Sequence, residues 1–317
     1  MKYYIGVDGG GTKTAICMAG EDSSVLYNTI AGSASWREHG VERVVDNIRN
    51  EIHNFPIEKN GIIAGIALGL PLVGESTEGD HKLENALSNA FPGIPVYLTN
   101  DVEVGWAGSL NLTPGINIVA GTGSIAFGKN ESGETARCGG WSEFFSDEGS
   151  CYWIGRKVLE LFSKQSDGRI PKDELYHIVK KEFDIDNDYD AIDLIHNKYM
   201  IKRENLASLQ LLAKEAALAG AQSALDLYNE AVDELCLLIT AVRDRLQFEK
   251  HPFLVSYSGG LFKSGNLVFP RFFAGIEAAG GKTVTPKFEP VYGALLLAFE
   301  KSCPEGLSKI QKRLEEE

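Results

Sequence analysis

Asp8 closes the apolar run Tyr3-Tyr4-Ile5-Gly6-Val7 and opens the turn Gly9-Gly10-Gly11-Thr12-Lys13-Thr14. Glycines let the backbone bend sharply and bare successive N–H groups to an anion, and the neighbouring threonines add hydroxyl donors. A carboxylate at the end of such a strand either stabilises the turn or faces a site, where it could hold the hydration shell of Mg²⁺. The same grammar returns when Ile116-Asn117-Ile118-Val119-Ala120 leads into Gly121-Thr122-Gly123-Ser124 and on to Ile125-Ala126-Phe127-Gly128. One glycine turn between strands is an ordinary hairpin. Two of them imply two half-molecules, each offering a phosphate clamp to one nucleotide.

Three further clusters could carry chemistry. Asp101 follows the strand-like run Val96–Asn100 and precedes a helix. It could cap that helix or act as a general base at the carboxyl end of a strand, and the residues alone leave both readings open. In Gly139-Gly140-Trp141-Ser142-Glu143-Phe144-Phe145-Ser146-Asp147-Glu148-Gly149-Ser150 the two acids could cap the next helix. Alternatively, an indole beside a carboxylate can grip a sugar, the ring packing against C–H groups while the acid takes hydroxyls. Ser258-Gly259-Gly260 follows a strand and would let a flat adenine lie close to the backbone. Gly275–Thr283 imitates a Walker loop, but it is one residue too long and follows a helix, so Gly280-Gly281 reads as a helix C-terminus.

These points need elements to hold them. Periodicity and punctuation predict strands near 2–7, 13–19, 24–31, 62–68 and 95–99, with helices near 40–54, 81–90 and 101–110. A second series follows: strands near 116–120, 124–129 and 134–138, a helix from 149, and a strand over Phe253–Tyr257. Then come a helix near 265–279, a strand over Thr283–Pro286 and a last helix near 290–302. Between them lies a helical insertion, about 171–248, broken near Gly220, and the charged tail Ser308–Glu317 is expected to fray. Three strands, helix, strand, helix, strand, helix occur twice. The expected division is 1–112 and 113–317, at the Asn111–Gly115 turn.

The bulk properties exclude several classes. The formal charge of −13 disfavours nucleic-acid and membrane-surface binding. No apolar stretch approaches a membrane span, and the short run before Asp8 does not read as a signal peptide. The five cysteines form no CxxC pair, which predicts reduced thiols and a cytoplasmic setting. The 34 glycines exceed the roughly 7% of average composition, as several ligand-approaching turns require.

Asp8-Gly9-Gly10-Gly11-Thr12, Gly121–Ser124, Gly139-Gly140-Trp141, Asp147–Ser150 and Gly259-Gly260, in this order, resemble the BadF/BadG-type ATPase family, and within it the N-acetylglucosamine kinases. The resemblance spans almost the whole chain. It implies an α/β architecture, the ribonuclease H-like fold duplicated as two βββαβαβα domains closing on ATP. By matching position, Gly10, Gly11, Thr12 and Lys13 and Gly121, Thr122, Gly123 and Ser124 would hold the phosphates, with Mg²⁺ reached from Asp8 through water. Gly259 and Gly260 would border the adenosine. Asp101 would take the proton of a sugar hydroxyl, and Ser35, Gly140, Trp141 and Asp147 would contact the sugar.

The implied function is an ATP-dependent sugar kinase, moving the γ-phosphoryl group to a hydroxyl, by expectation the 6-OH, of N-acetylglucosamine, glucosamine or N-acetylmuramate. A homodimer is allowed but not dictated. Three departures bear on the acceptor: Ser35 stands where the acetylglucosamine kinases carry Asn, Ile125 where they carry an amide, and Ser142-Glu143 and Ser146 replace small residues. The alternative is an ATPase that drives a conformational or electron-transfer partner, as the CoA-dehydratase and reductase activators of the same broad family do.

Overall fold

The computed structural model describes residues 1–23, 26–248 and 251–316. Its internal contacts divide the chain into two compact units, Met1–Pro114 with Thr285–Glu317, and Gly115–Val284. The last 33 residues, which the sequence reading assigned to the second half, thus belong with the first.

Residues 1–114 form β1 (Lys2–Gly9), β2 (Thr14–Gly20), β3 (Leu26–Ala31), α1 (Trp36–His39), α2 (Val41–His53) and β4 (Ile62–Leu70). They continue with α3 (Thr77–Ala90), β5 (Val96–Asn100) and α4 (Asp101–Leu110). Positions 24 and 25 of the expected third strand lie outside the described residues. The second unit holds β6 (Gly115–Ala120), β7 (Ser124–Lys129), β8 (Thr135–Gly139), α5 (Cys151–Ser166), α6 (Glu174–Phe183), α7 (Ala191–Leu194) and α8 (Arg203–Ser208). It then adds α9 (Gln210–Leu218), α10 (Gln222–Leu246), β9 (Phe253–Ser258), α11 (Phe269–Ala278) and β10 (Gly281–Thr283). Finally α12 (Pro290–Ser302) and α13 (Leu307–Glu315) complete the first unit.

The first sheet runs β3-β2-β1-β4-β5, and the second β10-β9-β6-β7-β8. Both contain an antiparallel meander of three strands whose first member pairs in parallel with a fourth. Each therefore has the order 3-2-1-4-5 of one ribonuclease H-like unit, and the duplication is in the backbone. β4 is a near-continuous apolar run because it lies between two parallel neighbours and is covered on both faces. Val41, Val44, Val45, Ile48 and Ile52 face α2 inward at helical spacing. On the other side α12 comes so close that a Cβ on Gly6 would overlap the Leu295 backbone, and one on Gly293 would overlap the α4 backbone at Val104 and Gly108.

Two expectations need correction. The tenth strand is Gly281–Thr283 rather than 283–286, because Gly281, Lys282 and Thr283 pair with Phe253, Leu254 and Val255. Gly280, at φ 80°, ends α11 and Gly281 already belongs to the sheet. The charged tail does not fray within the described residues: Ile310 and Leu314, four apart, are buried along α13. Among the described residues no helix is long and apolar enough to cross a membrane.

Candidate functional site

In the first unit, β1 delivers Asp8 and then bends through Gly10–Lys13 into β2. The turn is tied internally by the Gly10 N–H donating to the Lys13 carbonyl (2.9 Å). It is also braced from the loop after β3: the Ala34 N–H donates to the Gly10 carbonyl (2.9 Å) and the Ser33 hydroxyl to the Gly11 carbonyl (2.7 Å). Gly11, Thr12 and Lys13 are exposed. Ser35 is half-buried at the start of α1, and its N–H donates to the Ser33 hydroxyl (3.1 Å). Ser33 went unnoticed in the sequence; a serine in Gly32-Ser33-Ala34-Ser35 reads as loop filler until the turn it braces is seen.

Asp101 is the first residue of α4, and the helix is capped by its neighbour. The Asn100 side chain accepts from the Val102 N–H (3.1 Å) and donates to the Val73 carbonyl (2.7 Å). The capping reading of Asp101 therefore falls to Asn100. Behind it, buried Glu103 accepts from Thr99 and from the Tyr97 hydroxyl, pinning the first turn of α4 to β5. Asp8 pairs in register with Gly69 of β4, and Gly69 with Thr99 of β5, so Asp8 and Asp101 lie on carboxyl ends two strands apart, roughly 10 Å. They feel each other: burial first, then the charges of Asp101 and Glu289, push the Asp8 carboxyl up to about 7, and Lys13 pulls the other way. Glu289, just before α12, is a third acid of this group that the sequence reading missed.

In the second unit, the turn Gly121–Ser124 links β6 to β7 and is held by the start of α5. The Cys151 N–H donates to the Gly121 carbonyl (2.9 Å) and the Tyr152 N–H to the Thr122 carbonyl (3.4 Å). The cap of α5 is Ser150, which accepts from the Trp153 N–H (3.1 Å), so neither Asp147 nor Glu148 serves that purpose. Asp147, at φ 67° and only 3% exposed, instead accepts from the Ser124 N–H (3.2 Å) and from the Arg203 guanidinium. Burial raises the Asp147 carboxyl above the usual range, opposed by Arg203 and by the Ser124 N–H. Ser124 is turned inward, its hydroxyl donating to the Glu148 carbonyl (2.7 Å). Ser124 and Asp147, expected as ligand contacts, also hold the turn through these bonds.

Trp141, by contrast, is 72% exposed, beyond Gly139 and Gly140, which adopt φ of 82° and 67°. Ile125 presses on this bend: a Cβ on Gly140 would stand 2.7 Å from its Cδ1. Gly259, at φ 105°, is packed so tightly on the Ala120 carbonyl that no side chain fits, whereas a Cβ on Gly260 would make ordinary contact with Cys151. Tyr257, Phe262, Phe269 and Phe272 form an aromatic cluster beside these two glycines.

Gly11, Gly121 and Gly32 of the loop after β3 stand apart. All three have ordinary φ values, and a Cβ on any of them would meet nothing within 4 Å. Neither backbone strain nor internal packing requires glycine there.

Two ribonuclease H-like sheets, each with a glycine turn after its first strand, define the fold class of the chain. The chain belongs to the BadF/BadG/BcrA/BcrD ATPase family, whose profile matches residues 5–298. It is 28% identical over 303 residues to the N-acetylmuramic acid/N-acetylglucosamine kinase of Clostridium acetobutylicum, covering 94% of this chain and 98% of that one. It is 26% identical over 313 residues to the N-acetyl-D-glucosamine kinase of Dictyostelium discoideum, covering 93% and 97%. A crystal structure from Chromobacterium violaceum, provisionally assigned as an N-acetylglucosamine kinase, shares its fold with a TM-score of 0.73 at 24% identity, covering 94% of this chain and 99% of that one.

Proposed function

We propose that this protein is a kinase that transfers the γ-phosphoryl group of ATP to a hydroxyl of an amino sugar. The observation that carries the reading is the pair of open glycines, Gly11 and Gly121, at equivalent turns of the two sheets. Family membership supplies ATP as their ligand, and the amino-sugar kinases among the relatives supply the acceptor class.

In this reading the N–H groups and hydroxyl of Gly10, Gly11 and Thr12, with Lys13, take phosphate oxygens, as do those of Gly121, Thr122, Gly123 and Ser124. Gly259 and Gly260 border the adenosine, beside the aromatic cluster around Tyr257. The acid group fits Mg²⁺: Asp8 is crowded by Asp101 and Glu289 with Lys13 opposing them, so a cation relieves the repulsion. Mg²⁺, which keeps several of its waters, would reach Asp8 through one of them. When bound, Mg²⁺ would neutralise charge on the transferring phosphoryl group.

Asp101 accepts the proton of the attacking hydroxyl, a contribution of roughly 10²–10⁴-fold in rate. Trp141 offers its exposed ring to the C–H face of the sugar, and Ser35 and Gly140 are further proposed sugar contacts. Asp147, braced by Arg203 and the Ser124 N–H, is a further proposed sugar contact. Ile125 gives the Trp141 bend an apolar wall, which favours an N-acetyl group over a free ammonium. The donor being ATP, the enzyme would work in the cytoplasm on a small sugar. The 6-OH, the least hindered hydroxyl, is the expected acceptor.

The test is ADP release across a panel of N-acetylglucosamine, N-acetylmuramate and glucosamine with ATP and Mg²⁺ fixed. Wild type should release ADP only with a sugar, and Asp101→Asn should lose roughly 10²–10⁴-fold in kcat while keeping its ATP affinity. An Asp101→Asn enzyme with full turnover would remove Asp101 from the role.

A further inference from the structure

Arg203 begins α8, in the helical insertion, 56 residues from the carboxylate it holds. Its position is set by packing: α8 lies against α5 so closely that a Cβ on Gly155 would overlap the Leu206 carbonyl. From there the guanidinium lies 5.7 Å from the Tyr152 ring centroid and pairs with buried Asp147. It also reaches the second glycine turn: a Cβ on Gly123 would stand 2.8 Å from its Nη2 and 2.9 Å from Asp147 Oδ1. Its Nε is buried without a hydrogen-bond partner, with Glu143 Oε2 at 4.0 Å. This is no solvated surface pair. The carboxylate side is 4% exposed, so removing the cation would leave a buried charge uncompensated.

We infer that Arg203 is a positioning residue for the second glycine turn, clamping Asp147, and through it Ser124 and Gly123, in the shape that receives the phosphates of ATP. The inference rests on the nucleotide role proposed for that turn. The α5 start grips the carbonyls of Gly121 and Thr122, and the Arg203–Asp147 pair grips the N–H of Ser124. The insertion thereby becomes a second wall of the turn rather than an appendage. The charged groups facing Asp147 are Arg203 from α8 and Glu143 and Glu148 from its own loop. Arg203 is the only cation among them, so without it the carboxylate takes up a proton at higher pH.

The test is ATP affinity by calorimetry in Mg²⁺, from pH 5.5 to 8.5, for wild type, Arg203→Met, Arg203→Lys, Asp147→Asn and the Arg203→Met/Asp147→Asn double variant. Arg203→Met should weaken ATP binding roughly ten- to hundredfold and move the acid limb of the affinity profile to higher pH. Arg203→Lys should recover part of the affinity, since an ammonium keeps the charge and loses the planar fork. The double variant should bind no worse than Arg203→Met alone and lose the displaced limb, because Asn does not titrate. If Arg203→Met fails to fold, Arg203→Lys carries the same readouts with smaller shifts. An Arg203 variant that folds and binds ATP with wild-type affinity and pH profile would overturn the clamp. A wild type that shows this Arg203-dependent binding but no sugar-dependent ADP release would overturn the kinase reading and leave the clamp standing.

Discussion

Charge decides what the individual side chains do. The Asp8 carboxyl is pushed up to about 7, so the native state holds a proton that the unfolded chain, with its ordinary carboxyl near 4, has already released. Its contribution to stability is therefore complete below about pH 4 and is lost as pH rises towards 7. Asp8→Asn removes that loss: at pH 8, without nucleotide, it should be more stable than wild type by about 1–3 kcal/mol in urea denaturation. The same variant should need far more Mg²⁺ for turnover, and the wild-type Mg²⁺ response should strengthen as pH rises through 7 and Asp8 ionises. Trp141 is exposed, so Trp141→Ala should leave the melting temperature unchanged and raise the sugar KM by roughly three- to thirtyfold. Asp8, Asp101 and Trp141 stand out as candidates in the sequence from residue type and neighbours. Arg203 does not, because Lys202-Arg203-Glu204 in a polar insertion gives no sign of the distant carboxylate it meets.

At the scale of elements, the glycine turns and the helix ends decide where those charges stand. α4 carries Asp101 and is held against α12 by a glycine contact, Gly293 on Gly108 and Val104. Gly293→Ala forces the two helices apart and should cost about 1–3 kcal/mol, a fall of several degrees in melting temperature. It should also lower kcat more than the ATP KM, since Asp101 moves with its helix. Periodicity located most elements because α2 and β4 bury one stripe and one continuous run respectively. It misplaced β10, whose three residues are chosen by pairing with β9 and not by propensity. It undervalued α13, where Ile310 and Leu314 outweigh the surrounding charge. The caps were ambiguous for a different reason: Asn100-Asp101 and Asp147–Ser150 each offer several capping residues, and only coordinates show which side chain bonds the helix N–H groups.

At the scale of the whole molecule, the repeated strand order was readable because each half begins with the same strand-turn-strand grammar. The return of Thr285–Glu317 to the first unit was not readable, since order along a chain does not reveal which sheet a late helix covers. The duplication makes equivalent predictions for its two turns. Gly11→Ala and Gly121→Ala both have room for a methyl group and an ordinary φ, so each should melt like wild type yet raise the ATP KM at least about tenfold. A comparable loss from both would indicate that the two turns serve one nucleotide. The central claim is phosphoryl transfer to a sugar, and phosphorus NMR of a reaction with ATP, Mg²⁺ and N-acetylglucosamine reads it directly. A sugar phosphate ester should form in equal amount to ADP. ADP accompanied only by inorganic phosphate, at a rate indifferent to any amino sugar, would contradict that claim.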